Sequence, residues 1–304
     1  MKATKIISAC AVLVALASYS NDLSQPTAED TPIRLQANVG GITTRAVHNL
    51  LESSFSNGDA INVYITENTT NKTTSSGGTY NPMVYTHDGS QFKAATTQYF
   101  PSNGNGIDVW AVYPSTVTEG NAEFTIESNQ TSDANYKKSD LMFASKLTNQ
   151  KKGNTINLSF SHQLSKIIVN LVKETGVDGV LSGAEIKLTN VVKKVALNSV
   201  NGSGISLGNL SSDPGDKGEL TIGKYATDGT AAIVIPQSTT SMQFEVKLAN
   251  GGSYTAAMPN TTTEFESNKE YTYTLTLKAN GITVNASINA WTPGTTGSGD
   301  AILN

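Results

Sequence analysis

Apolar and polar residues alternate with a period of two along most of the chain, and apolar runs at helical spacing are nearly absent. Ile33, Leu35, Ala37 and Val39 alternate with Arg34, Gln36 and Asn38. Ile61, Val63 and Ile65 follow the same rule, as do INLSF (156–160), KIIVNLV (166–172), EYTYTLTL (270–277) and ITVNASINAW (282–291). IDVWAVYP (107–114) reads as a strand ended by Pro114, and DLMFAS (140–145) as another. Between 180 and 260 come further short runs: AEIKLT, VALNSV, GISL, GELTI, AAIVIP, FEVKL and SYTAAM. Alternation of this kind buries one face of a strand and wets the other. A single short helix is predicted over Ala46–Phe55, where Val47, Leu50 and Leu51 share a face.

Turn signals punctuate these runs: NG at 57, HDG at 87, NGNG at 103, NGSG at 201, DPGD at 213, NGG at 250 and NG at 280. Many short strands at such spacing predict an all-β chain of sandwiches or barrels. TENTTNKTTSSGG (66–78) and SNQTSDANYKKSD (128–140) are polar and poor in aromatics, so both are predicted surface loops. A boundary is predicted at Ser161–Ser165, dividing the chain into an N-terminal domain over 46–162 and a C-terminal domain over 163–304. No repeat of solenoid or propeller length is present.

Composition sharpens the picture. Of 304 residues only 15% are charged and 38% are hydrophobic, which excludes a charge-rich disordered chain and a coiled coil. Net charge is −4 and arginine occurs only at Arg34 and Arg45, so there is no basic footprint for nucleic acid. Thr, Ser, Asn and Gly fill the gaps that charge leaves, as in extracellular β proteins with long polar loops.

The N-terminus reads MKATKIISACAVLVALASYSND. Lys2 and Lys5 precede an apolar run from Ile6 to Ala17, too short for a bilayer span of ~20 residues, and small residues close it. This is the pattern of a secretory signal peptide over residues 1–17, with cleavage expected between Ala17 and Ser18. The one cysteine, Cys10, lies inside it, so the exported chain holds no disulfide and no cysteine-based metal site.

Catalytic constellations are missing. His48, His87 and His162 are dispersed, with no HExxH and no second ligand cluster, and solvated or hydrogen-bonded structural roles account for them. No G-x-S-x-G elbow or phosphate loop is present, and the glycine-rich pieces lie between strands. Asp213 and Asp216 lack calcium-loop spacing and read as a turn. Lys137 and Lys138, Lys151 and Lys152, and Lys193 and Lys194 read as solvated loop charge. No cofactor, metal or catalytic residue is expected. Trp110 and Trp291 lie in strand patterns and read as core, and together with the loop tyrosines Tyr80, Tyr85 and Tyr136 they are candidates for a sugar-binding platform. They define an alternative reading, a monomeric secreted or surface glycan-binding β-sandwich protein.

Several segments together carry a family resemblance. In order they are the signal peptide, TTRA (43–46), SFSNGDAINVYI (54–65), VWAVYP (109–114), DLMFAS (140–145), INLSFSHQLSKIIVNL (156–171), IVIPQ (233–237), NKEYTYTLTL (268–277) and ITVNASINAW (282–291). The chain resembles the Mfa-like fimbrillins of Bacteroidales-type surface pili from about residue 30 to 292. The resemblance implies two tandem β-sandwich domains of transthyretin-like topology. It implies a structural or accessory subunit of a cell-surface, outer-membrane-associated fimbria that serves adhesion to host or bacterial surface ligands. The implied assembly route is proteolysis-triggered strand exchange between fimbrillin subunits. The N-terminal segment 18–45 would carry a plug strand, with Ile33, Leu35, Ala37 and Val39 on its apolar face, and an arginine-specific protease would cut between Arg45 and Ala46. One departure is plain: Tyr19 stands where the family's lipobox cysteine is expected, leaving Cys10, which precedes most of the apolar run, as the only residue that could be lipidated.

Overall fold

The computed structural model describes residues 31–39, 55–67, 82–199, 205–224, 229–249 and 251–290. Among these the chain is almost entirely β. The first seven-stranded sheet has the order β1-β8-β7-β5-β2-β3-β4. Its strands are β1 (Arg34–Val39), β2 (Ala60–Glu67), β3 (Met83–His87), β4 (Phe92–Ala94), β5 (Ile107–Tyr113), β7 (Met142–Gln150) and β8 (Thr155–His162). Every neighbouring pair in this sheet is antiparallel except β1 and β8, which run parallel. The sheet curls so that its two edges meet at a bridge between Pro32 and Tyr99. Inside lie Ile61, Val63, Ile65, Val109, Ala111, Ile156, Leu158 and Phe160, among others. The inward set expected from alternation in β2 and β5 is therefore found.

The other face of β5 is not wet. All seven of its residues are buried, because Trp110 and Val112 face a second core built mainly by the rest of the chain. A strand covered on both sides reads as a near-continuous apolar run, which is what IDVWAVY is.

That second core lies between two four-stranded sheets. One has the order β13-β10-β15-β16 and the other β14-β9-β17-β18. The strands are β9 (Ser165–Lys173), β10 (Glu185–Val192), β13 (Lys217–Lys224), β14 (Thr230–Val234), β15 (Gln243–Lys247), β16 (Ser253–Ala257), β17 (Lys269–Lys278) and β18 (Gly281–Ala290). Ile167, Val169 and Leu171 of β9 and Tyr271, Tyr273, Leu275 and Leu277 of β17 all point inward, as their alternation requires. Phe244 of β15 tilts against Tyr273 across the sheets, with ring centroids 5.0 Å apart. A three-stranded sheet, β12-β11-β6, joins β6 (Glu123–Thr125) to β11 (Lys194–Ser199) and β12 (Ile205–Leu210). The second core thus draws Tyr64, Trp110, Val117, Phe124, Ile126, Tyr136 and Leu141 from before residue 162.

The stretch 128–140 departs from the surface loop read in the sequence. It forms a helix, α1 (Asp133–Ser139), whose N-cap Ser132 accepts from Asn135 N. Tyr136 on this helix is buried, and Gln130 just before it is wholly buried. The Gln130 amide donates to Ile233 O at 2.9 Å and accepts from Ile233 N at 2.7 Å. It takes up the backbone groups of an edge strand of the second sandwich, where a polar side chain substitutes for a pairing strand. Asp213 and Asp216 do sit in a turn, the 3-10 segment Pro214–Asp216.

Candidate assembly site

The alternating segment Ile33–Val39 holds β1 (Arg34–Val39). Ile33, Leu35 and Val39 are buried in the first core, Ala37 packs against it, and Arg34, Gln36 and Asn38 are exposed. Burying each large aliphatic side chain contributes about 1.5–3 kcal/mol, so β1 is held mainly by its apolar face. Its register on β8 runs from Arg34 opposite Thr155 to Val39 opposite Phe160. On its other side, Phe100 N donates to Thr31 O at 3.0 Å and Ile33 N donates to Gln98 O at 2.7 Å. Both bonds lie at the start of the strand. Farther along, a cleft is lined by Gln36, Ala37 and Asn38, by His87, Ser90, Gln91 and Phe92, and by Asn157 and Leu158.

Chain that leaves β1 at Val39 is described again at Phe55. Phe55 sits edge-on to Phe160, 5.2 Å between centroids, and to Phe92 at 4.9 Å. The segment between Val39 and Phe55 therefore begins and ends beside Phe160. Arg45 and Ala46 fall in it, outside the described residues, as do the short helix read over Ala46–Phe55 up to residue 54, Cys10, Ala17, Ser18 and Tyr19.

Two residues beyond Phe160, where β8 ends, a buried ionic cluster marks the passage to β9. His162 Nδ1 lies 2.8 Å from Asp140 Oδ1. Lys166 Nζ lies 2.7 Å from Glu270 Oε2, directly across the parallel β9–β17 pair. Burial lowers the Lys166 pKa, against the opposing pull of Glu270 and Asp140. Burial likewise raises the Tyr136 hydroxyl, reinforced by the charges of Asp140 and Glu270. Lys137, read as a solvated charge, binds Asp59 at 3.0 Å, and Lys194 binds Asp216 at 3.0 Å.

Of the five aromatics of the alternative reading, the three that are described are buried. Trp110 is buried, stacks on Tyr64 at 5.4 Å and donates its indole N–H to Glu119 at 2.7 Å. Tyr85 is buried and its hydroxyl is pushed up to about 12 by burial. Tyr136 is buried as well, while Tyr80 and Trp291 fall outside the described residues. His87 accepts from Gly89 N in its turn. Among the described residues no group of three or more His, Cys, Asp or Glu gathers to hold a metal. No described helix is long and apolar enough to cross a membrane.

What the geometry offers is a strand in a slot. The Fimbrillin-like family matches the chain over residues 44–291. The chain belongs to this family. Membership of the fimbrillin-like family makes it a structural protein and not an enzyme. A protein of Bacteroides uniformis assigned as the fimbrium subunit Fim1C is similar at 29% identity over 98% of each chain. Two crystal structures share the fold, both of proteins assigned to cell adhesion. One from Bacteroides ovatus has a TM-score of 0.66 at 22% identity, covering 87% of this chain and 99% of its own. One from Bacteroides uniformis has a TM-score of 0.64 at 21% identity, covering 86% and 98%.

Sequence reasoning found β1 but not its clasp. Gln98, Tyr99 and Phe100 lie in a polar stretch, and the only signal there was two aromatics ahead of Pro101.

Proposed function

We propose that this fimbrillin-like chain is a subunit of a surface fimbria, exported through its signal peptide, and that β1 is a removable plug. One observation carries the reading. β1 is the only parallel strand of its sheet, stands at the sheet's edge and completes a hydrophobic core, yet reaches the rest of the chain through the segment that holds Arg45. Cleavage between Arg45 and Ala46 by an arginine-specific protease would cut β1 from the body formed by 46–162 and 163–304. Departure of β1 would bare Ile156, Leu158 and Phe160 together with one edge of β8. A strand from another fimbrillin subunit would restore both the main-chain bonds and the apolar face. Adhesion then follows from the polymer rather than from a pocket.

β18 supports the reading from the donor side. Its alternate residues Ile282, Val284, Ala286 and Ile288, like Ile33, Leu35, Ala37 and Val39, are all aliphatic with alanine third. Ile282, Val284 and Ala286 are only partly buried, and Ile288 is 50% exposed. The test is Arg45→Ala in the producing cell, followed by electron microscopy and N-terminal sequencing of surface protein. Unpolymerised chains beginning near Ser18 are expected from the variant, and chains beginning at Ala46 from the wild type. Normal fimbriae from Arg45→Ala overturn the reading.

A further inference from the structure

The plug is held unevenly along its length, and the unevenness has a direction. At its start β1 is bonded on both sides: to β8 through its parallel register, and to the 98–100 segment through Phe100 N to Thr31 O and Ile33 N to Gln98 O. Among the described residues no backbone bond joins β1 to that second side beyond Ile33. The two edges instead diverge, leaving the cleft between Gln36–Asn38 and the Ser90–Phe92 turn. The cleft is also lined by Asn157 and Leu158, which belong to β8, the strand any replacement must pair with. The open half is also the half nearest the chain that follows Val39.

We infer that β1 is replaced progressively from its Val39 end, and that the cleft beside Gln36–Asn38 is where a strand of a second copy of this chain first docks. The inference rests on the strand-replacement reading and adds its starting place and direction. An incoming strand seated in the cleft lies along the unbonded side of Gln36–Asn38, one strand away from β8, before β1 has left it. Each residue pair it gains near Phe160 compensates for one that β1 loses, so the apolar slot is never bare along its whole length. Initiation at the Ile33 end would require breaking bonds on both sides at once, with no adjoining space for the newcomer. The solvent-facing side chains around the cleft, Gln36, Asn38, Ser90, Gln91 and Asn157, are polar and uncharged, which suits a strand whose outward residues are Thr, Asn and Ser, as in β18.

Two measurements on the full chain nicked at Arg45 test this. Amide hydrogen exchange read by mass spectrometry is expected to show Gln36–Val39 opening about tenfold faster than Ile33–Leu35. Displacement of the bound plug by a fluorescent synthetic peptide of residues 33–39 gives the kinetics. Gln91→Trp fills the cleft from an exposed position and is expected to slow displacement about tenfold, whereas Thr97→Trp beside the clasp leaves it within about twofold. Opening from the Ile33 end, or equal displacement in both variants, overturns the inference and leaves strand replacement standing. A nicked wild-type chain that never accepts the peptide overturns strand replacement itself, and with it the inference.

Discussion

Lys166 and Glu270 face each other across two parallel strands, 2.7 Å apart and buried. Neither is where a charge is comfortable, and each is tolerated because of the other. Removing one partner by Lys166→Met leaves a buried uncompensated carboxylate and is expected to cost about 3–5 kcal/mol. The double variant Lys166→Met with Glu270→Leu is expected to return to wild-type stability or exceed it. Urea unfolding of the two single variants and the double variant checks this. Additive losses would show that the pair is not coupled.

The tyrosines set the alkaline behaviour. The Tyr85 hydroxyl is pushed up to about 12 by burial and has no hydrogen-bond partner among the described residues. A folded-state pKa above the ordinary 10 means the folded chain holds its proton longer than the unfolded one. The stabilisation is therefore complete below pH 10 and is lost as pH climbs from 10 towards 12. Tyr85→Phe should flatten this alkaline loss and, by removing an unpaired buried hydroxyl, raise stability near neutrality by about 1 kcal/mol. Thermal unfolding at pH 8, 10 and 11.5 is the check, with an unchanged alkaline limb counting against it.

Gln130 is small in the sequence and large in the fold. Its amide serves both backbone groups of Ile233. Gln130→Ala leaves these groups buried without their partner and is expected to destabilise by about 2–4 kcal/mol. An isosteric Gln130→Met should cost nearly as much, which separates lost hydrogen bonds from lost volume. Denaturant midpoints of the two variants decide it.

Val169 lies inside the second core opposite both Tyr273 and Thr230. Val169→Asp places an unpaired carboxylate there, and the expected loss exceeds about 4 kcal/mol. Intrinsic fluorescence and circular dichroism of the variant should show the second sandwich unfolded. A wild-type melting curve would displace Val169 from the core.

The strands were legible because each half-buried strand writes its own alternation. β1, β8, β9 and β17 are found where Ile33–Val39, Ile156–Phe160, Ile167–Leu171 and Tyr271–Leu277 alternate, with the expected residues inward. What alternation cannot say is which strand lies beside which. That β1 pairs parallel with β8, over a hundred residues later, depends on long-range packing that no local pattern records. The helix α1 was hidden for a related reason. Asp133–Ser139 shows one aromatic among polar residues, and only the second core gives Tyr136 somewhere to go. The candidate site shared this division: its apolar strand was readable, while the clasp at Gln98–Phe100 and the contact of Phe55 with Phe160 exist only once the sheet has curled.

Parallel pairing of β1 on β8 has a consequence for anything built by filling that slot. If a replacement strand keeps the parallel register that β1 holds on β8, as the proposed assembly would have it, each newcomer arrives pointing the same way as the last. Such an array has a head and a tail with unlike chemistry. One end always shows a vacant or plugged slot, the other an undelivered strand. Growth, capping and anchoring to the cell would then be matters of which end is which, fixed by the direction of six residues.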